Sequence, residues 1–82
     1  MNGELKVIVR NKTDVLFDAQ ALSVSMVNEL GPFDVLPEHT NYIGIIGGEV
    51  VVREEDGKEK RLTCIRGVTR VTTNVVEVVF IE

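Results

Sequence analysis

Apolar and polar residues alternate with a period of two along most of the chain. In Leu5-Lys6-Val7-Ile8-Val9-Arg10 the residues Leu5, Val7 and Val9 fall on one face of a predicted strand. Residues 11–14 have turn composition, and 15–20 read as a second strand. Residues 21–28 set Leu22, Val24 and Met26 against Ser23 and Ser25, the pattern of a half-buried strand with a wet face. Only residues 15–30 are long enough for a helix, and the serine alternation argues against one there. Gly31-Pro32 interrupts the pattern; proline lacks a ladder donor, so this point is a turn or a sheet edge. A short strand at 33–36 follows, then a loop, Pro37-Glu38-His39, with Pro37 biasing Leu36 toward extended geometry.

Residues 40–46 read as an apolar strand in which Gly44 marks a bulge or a close backbone approach. Gly47-Gly48 reads as a turn. Strands at 49–54 and 58–65 flank Glu55-Asp56-Gly57, the clearest hairpin signal in the chain. Gly67 separates the second of these from a strand at 68–72, Thr73-Asn74 turns the chain again, and 75–81 closes it with Val76, Val78 and Phe80 on one face. Turn signals recur every ~8–12 residues, the spacing of a sandwich or small barrel.

Composition sharpens this. Val, Ile and Thr supply 27 of the 82 residues and Ala only two, which suits pleated surfaces and disfavours helices. The length fits one domain, residues 1–82, burying ~60–65% of its unfolded surface, with no room for a cleft between two domains. The net charge of −4 provides no basic stripe for nucleic acid or for an anionic membrane. No run approaches the ~18–20 apolar residues of a membrane span, so the chain is expected to be soluble in isolation, and monomeric. The single Cys64 lies in an apolar run and reads as a buried, reduced thiol.

Candidate chemistry is sparse. His39 has no Cys or His partner at metal-ligand spacing and no nucleophile motif beside it, so it reads as a loop residue rather than a ligand or base. Glu54-Glu55-Asp56 is too compact to wrap a calcium ion and reads as a solvated hairpin tip, with Lys58, Lys60 and Arg61 placed to pair with it. Residues 44–48 are glycine-rich, but no helix follows to face a phosphate. The residues alone therefore point to a non-catalytic binding or structural module with no cofactor and no metal. Two rivals stand beside it. A lipoyl- or biotinyl-type carrier would need a modified lysine at a hairpin tip, where Lys58 sits poorly between Gly57 and Glu59; a sugar-binding barrel or small enzyme would need more aromatics than one Tyr and three Phe.

The stretch Gly31-Pro32-Phe33-Asp34-Val35-Leu36-Pro37-Glu38-His39 resembles the signature of the epsilon subunit of F-type (rotary) ATP synthases. The likeness runs along nearly the whole chain, through 5–10, 15–17, 48–53, 65–68 and 74–81. It implies an all-β fold, a flattened sandwich of about 8–10 short, mostly antiparallel strands. It implies a non-catalytic central-stalk subunit of a proton- or sodium-translocating synthase that couples the gamma subunit to the c-ring, at the cytoplasmic face of the inner or plasma membrane and without inserting into it. The residues carried over as partner-facing are Glu29, Gly31, Pro32, Phe33, Pro37, Glu38 and His39. Many relatives have an acid at the position of Pro32, a glycine at that of Glu38 and Ala-Pro at Thr40-Asn41, which leaves Glu29 and Glu38 as the nearby acids. The family often adds a C-terminal helical hairpin that inhibits ATP hydrolysis and sometimes binds ATP; for a chain ending at Glu82 the expectation is neither inhibition nor nucleotide binding.

Overall fold

The computed structural model describes residues 4–38 and 41–82. Among these there are seven strands and no helix: β1 (Leu5–Arg10), β2 (Val15–Ala21), β3 (Ser23–Asn28), β4 (Gly31–Val35), β5 (Tyr42–Arg53), β6 (Glu59–Thr72) and β7 (Val75–Phe80). They hydrogen-bond in the order β2-β1-β7-β6-β5-β3-β4. Every pairing is antiparallel except β1 with β7.

This continuous sheet folds over on itself because β5 and β6 are long and bend together. The first half of β5 pairs with the second half of β6, from Tyr42↔Val71 to Ile46↔Gly67. The second half of β5 pairs with the first half of β6, from Gly48↔Cys64 to Arg53↔Glu59. One layer is thus β2, β1, β7, the second half of β6 and the first half of β5; the other is the first half of β6, the second half of β5, β3 and β4. Counted by halves, the seven strands give nine segments, in line with the expected sandwich. The smallest dimension, 18 Å, fits two sheets ~10 Å apart with side chains outside them.

The bend corrects two sequence expectations. Gly47-Gly48 is no turn, and Gly67 separates nothing; both lie inside continuous strands. Between Ile46↔Gly67 and Gly48↔Cys64, β6 uses one more residue than β5, a β-bulge at Ile65-Arg66. The inward-facing set on β6 accordingly shifts from even to odd positions, Cys64 giving way to Gly67, Thr69 and Val71. Gly47 is required because a Cβ there would lie 2.7 Å from the Ile65 carbonyl oxygen. The chain end clasps the bulge: the Ile65 and Arg66 amides both donate to the Glu82 carbonyl, and the Ile81 and Glu82 amides donate to that of Arg66.

The core is a single cluster drawn from both layers. Leu5, Val7 and Val9 of β1, Val76, Val78 and Phe80 of β7, Val24 and Met26 of β3, Val35 of β4, and Ile46, Val50 and Val52 of β5 are all buried in it. Cys64 is buried there as expected, and burial pushes its thiol pKa up. One serine-leucine pair departs from expectation. Ser23 is buried and Leu22 is exposed, because Leu22 is the bend residue between β2 and β3 where the chain changes layer, its amide donating to the Arg53 carbonyl.

On the outer face of the β3–β4–β5–β6 layer, polar side chains link four strands. Ser25 Oγ donates to Asp34 Oδ1 (2.6 Å) and accepts from Arg53 (2.7 Å); Arg53 pairs with Glu59 (3.2 Å), and Arg61 with both Glu59 (2.8 Å) and Glu49 (3.1 Å). These exposed pairs contribute little individually but keep that face wet. At the β5–β6 tip only Asp56 of the acidic trio pairs with a basic side chain, Lys58 at 3.7 Å, while Arg61 turns to Glu49 and Glu59 instead.

Candidate partner-binding surface

The six sequence-predicted residues that the structure describes do not form one loop. Glu29 sits in a two-residue turn, Glu29–Leu30, that joins β3 to β4. Asn28 Oδ1 accepts the Leu30 amide (2.8 Å), and Gly31 makes the return at φ 117°, a conformation open essentially to glycine alone. Pro32 and Phe33 lie in β4, so the strand expected at 33–36 begins two residues earlier and ends at Val35. Pro32 is tolerated because β4 is the sheet edge, as its missing donor requires. Pro37 and Glu38 lie past the far end of β4, a strand that spans roughly 13 Å at strand rise. His39 falls outside the described residues, as does Thr40.

Each group has its own support. The hairpin tip leans on the first half of β5. Phe33 meets the Tyr42 ring edge-to-face at 5.4 Å, and Asn28 Nδ2 donates to Tyr42 Oη at 3.2 Å. Tyr42 in turn lies over Gly44, in the space a Cβ at that position would occupy. Glu38 takes φ 66°, uncommon for a residue with a Cβ, and its amide donates to Asn74 Oδ1 at 2.6 Å.

Beside the hairpin tip the structure exposes three large apolar residues, two of them, Ile43 and Ile45, in the segment the sequence reads as an apolar strand. Leu30 is 91% exposed, Ile43 70% and Ile45 64%. Asn28, Glu29, Leu30, Tyr42, Gly44 and Ile45 line a shallow concavity of about 400 Å³. Ile45 continues across the outer face into Val68 and Val79, its neighbours in register. Fully burying a Leu or Ile is worth ~1.5–3 kcal/mol, so covering these three at their present exposure would release about 3–7 kcal/mol before the costs of association. The signal for this patch was present in the sequence. In residues 42–46, with Ile46 facing inward, the outward positions 43 and 45 are both isoleucine, and a strand apolar on both faces is either doubly covered or a contact surface.

A second concavity, about 480 Å³, opens at the opposite edge of the sandwich, where Leu16, Leu62 and Phe80 form an apolar floor rimmed by Lys12, Thr63 and Glu82. None of the sequence-predicted residues lies there. Among the described residues no group of three His, Cys, Asp or Glu side chains is placed to hold a metal ion, and no helix is long and apolar enough to cross a membrane.

No curated protein matches the chain significantly by sequence. A chain of the Euglena gracilis mitochondrial ATP synthase OSCP/F1/c-ring structure superposes with a TM-score of 0.89 at 18% identity, covering 96% of this chain and 51% of that one. A chain of the Tetrahymena thermophila mitochondrial ATP synthase central stalk/c-ring structure gives a TM-score of 0.76 at 12% identity, covering 95% and 63%. At such identities the likeness is one of fold, and the chain spans about half to two-thirds of these relatives' length. The family described as ATP synthase, Delta/Epsilon chain, beta-sandwich domain matches residues 4–81, essentially the whole of the bent sheet described above. The chain belongs to that ATP synthase delta/epsilon β-sandwich family.

Proposed function

We propose that this chain is a non-catalytic rotor element of an F-type ATP synthase that couples the gamma subunit to the c-ring. The family match over residues 4–81 carries the reading. The fold-level likeness to chains from central stalk and c-ring assemblies supports it. In this role the chain is peripheral to the membrane and held there by its partners.

The surface that fits the role joins three parts: the Glu29–Leu30 tip with Gly31, Pro32 and Phe33, the exposed pair Ile43 and Ile45, and the Pro37-Glu38-His39 connection. A bent, fully packed sandwich suits torque transmission, since close-packed interiors deform little under load. Two prolines and a left-handed glycine fix the contact segments before binding, which lowers the entropy lost on assembly.

The test is co-purification of the tagged chain with gamma and the c-ring from membranes. The unaltered chain should bring down both, and Phe33→Ala, His39→Ala and Ile45→Glu should each reduce recovery while leaving the strand signature in circular dichroism intact. Recovery of neither partner by the unaltered chain would sink the reading; normal assembly by all three variants would sink the surface.

A further inference from the structure

We propose that Asn74 is a positioning residue for the partner-facing connection between β4 and β5, holding Pro37 and Glu38 in their binding shape from across the sandwich. The inference rests on the function proposed above.

Asn74 belongs to the Thr73–Asn74 turn between β6 and β7, and nothing in its own sequence neighbourhood marks it as functional. Its side chain reaches a residue 36 positions away: Oδ1 accepts the Glu38 amide at 2.6 Å. Its main chain is firmly held. The Asn74 carbonyl accepts the Lys6 amide at 2.8 Å, and β7 just beyond it is paired on both sides, with β1 and β6. The turn is therefore a fixed post at one end of the five-stranded layer.

Glu38 is the residue that needs holding. At φ 66° it occupies the left-handed region, disfavoured by roughly 1–2 kcal/mol for a residue with a Cβ. The hydrogen bond to Asn74 holds the Pro37–Glu38 peptide plane while Glu38 is left-handed, and its free energy offsets that penalty. Without the acceptor, Glu38 is free to return to negative φ. Such a change swings the chain before and after Glu38 relative to one another, so Pro37 no longer keeps its place against the start of β5. Asn74 is itself left-handed, φ 54°, which asparagine tolerates and glycine tolerates fully. That fact supplies clean variants: Asn74→Gly keeps the turn and deletes the acceptor, and Asn74→Asp keeps an acceptor oxygen.

The experiment measures binding of the full chain to isolated gamma subunit and to c-ring, alongside amide hydrogen exchange at Glu38, Lys6 and Val75. Asn74→Gly should weaken binding roughly 3- to 10-fold, the worth of one neutral hydrogen bond. It should speed exchange at Glu38 while Lys6 and Val75 stay protected. Asn74→Asp should restore most of both. Equal binding by the unaltered chain and Asn74→Gly overturns the positioning role and leaves the proposed function standing. So does a matched loss in Asn74→Gly and Asn74→Asp with Glu38 still protected. If the unaltered chain binds neither partner, the functional reading fails and the positioning role fails with it.

Discussion

Replacing Gly44 by alanine should destabilise the protein although alanine is the better strand residue. Gly44 does not require left-handed backbone, so in open space Gly44→Ala would gain ~0.5–1 kcal/mol from the lower entropy of the unfolded chain. The space is not open. The Tyr42 side chain covers the position a Cβ would take, with Cε2 at 2.9 Å and the phenolic Oη nearer still. The ring must swing aside, and it then loses two contacts. The Asn28 hydrogen bond is worth ~0.5–1.5 kcal/mol and the edge-to-face contact with Phe33 about the same again. The balance is a net loss of roughly 0.5–2 kcal/mol.

In a domain of this size that lowers Tm by roughly 3–15 °C. Thermal unfolding followed by far-ultraviolet circular dichroism measures it, and Tyr42, the chain's only tyrosine in the absence of tryptophan, reports ring movement by its own emission. A second background isolates the cause. With Tyr42→Ala already present, Gly44→Ala should change sign and stabilise by ~0.5–1 kcal/mol. If Gly44→Ala raises Tm in the unaltered background with tyrosine emission unchanged, the covering ring is not what makes glycine necessary.

Three further outcomes are expected. Glu38→Gly should stabilise the isolated chain by roughly 0.5–1 kcal/mol, relief of left-handed strain exceeding the added freedom of the unfolded state, read from the urea midpoint. Gly31→Ala should lower the same midpoint by ~1–3 kcal/mol equivalent, since φ 117° admits no Cβ comfortably. The Cys64 thiol has its pKa raised by desolvation, so between the unfolded and folded values the native state binds more protons than the unfolded state. Its contribution is level below the ordinary thiol value of about 8.5 and falls as pH rises past it. Relative to Cys64→Val, the unaltered chain should lose stability more steeply above that pH, and its thiol should react with a disulfide reagent slowly until the chain unfolds.

Legibility of the fold in the sequence followed how local each determinant is. β1 was readable to the residue, and β7 to within one residue at its end, Phe80 rather than Ile81, because their inward positions keep strict period two. The acidic hairpin tip was readable because Gly57 takes φ 89°, which an Asp-Gly pair announces. The bend was misread because glycine has two uses that look alike in sequence. At Gly47 and Gly67 the missing Cβ admits a neighbouring carbonyl, Ile65 at 2.7 Å and Val79 at 2.9 Å, rather than reversing the chain. Asn74 looked like turn filler because its partner, Glu38, is brought to it only by the tertiary fold. The family resemblance supplied a contiguous motif, residues 31–39, but not its division by β4 into a hairpin tip and a distant connection.

That division bears on how a rigid module can meet two partners. Edge strands invite unwanted pairing, and this sandwich treats its edges unequally. β4 carries Pro32, which removes a donor from the edge. The first half of β5 has no such guard; instead the β3–β4 tip leans over it through Tyr42, leaving Ile43, Ile45 and Leu30 exposed together. An exposed apolar group beside an edge favours self-association, and a net charge of −4 opposes it only through long-range repulsion. Screening that repulsion should therefore separate the two effects. Near 1 M salt the Debye length falls to ~3 Å, and the isolated chain should begin to associate through this face. Ile45→Glu should remain monomeric under the same conditions, by sedimentation velocity. Equal association by both would place the contact elsewhere and detach the apolar group from the partner surface proposed here.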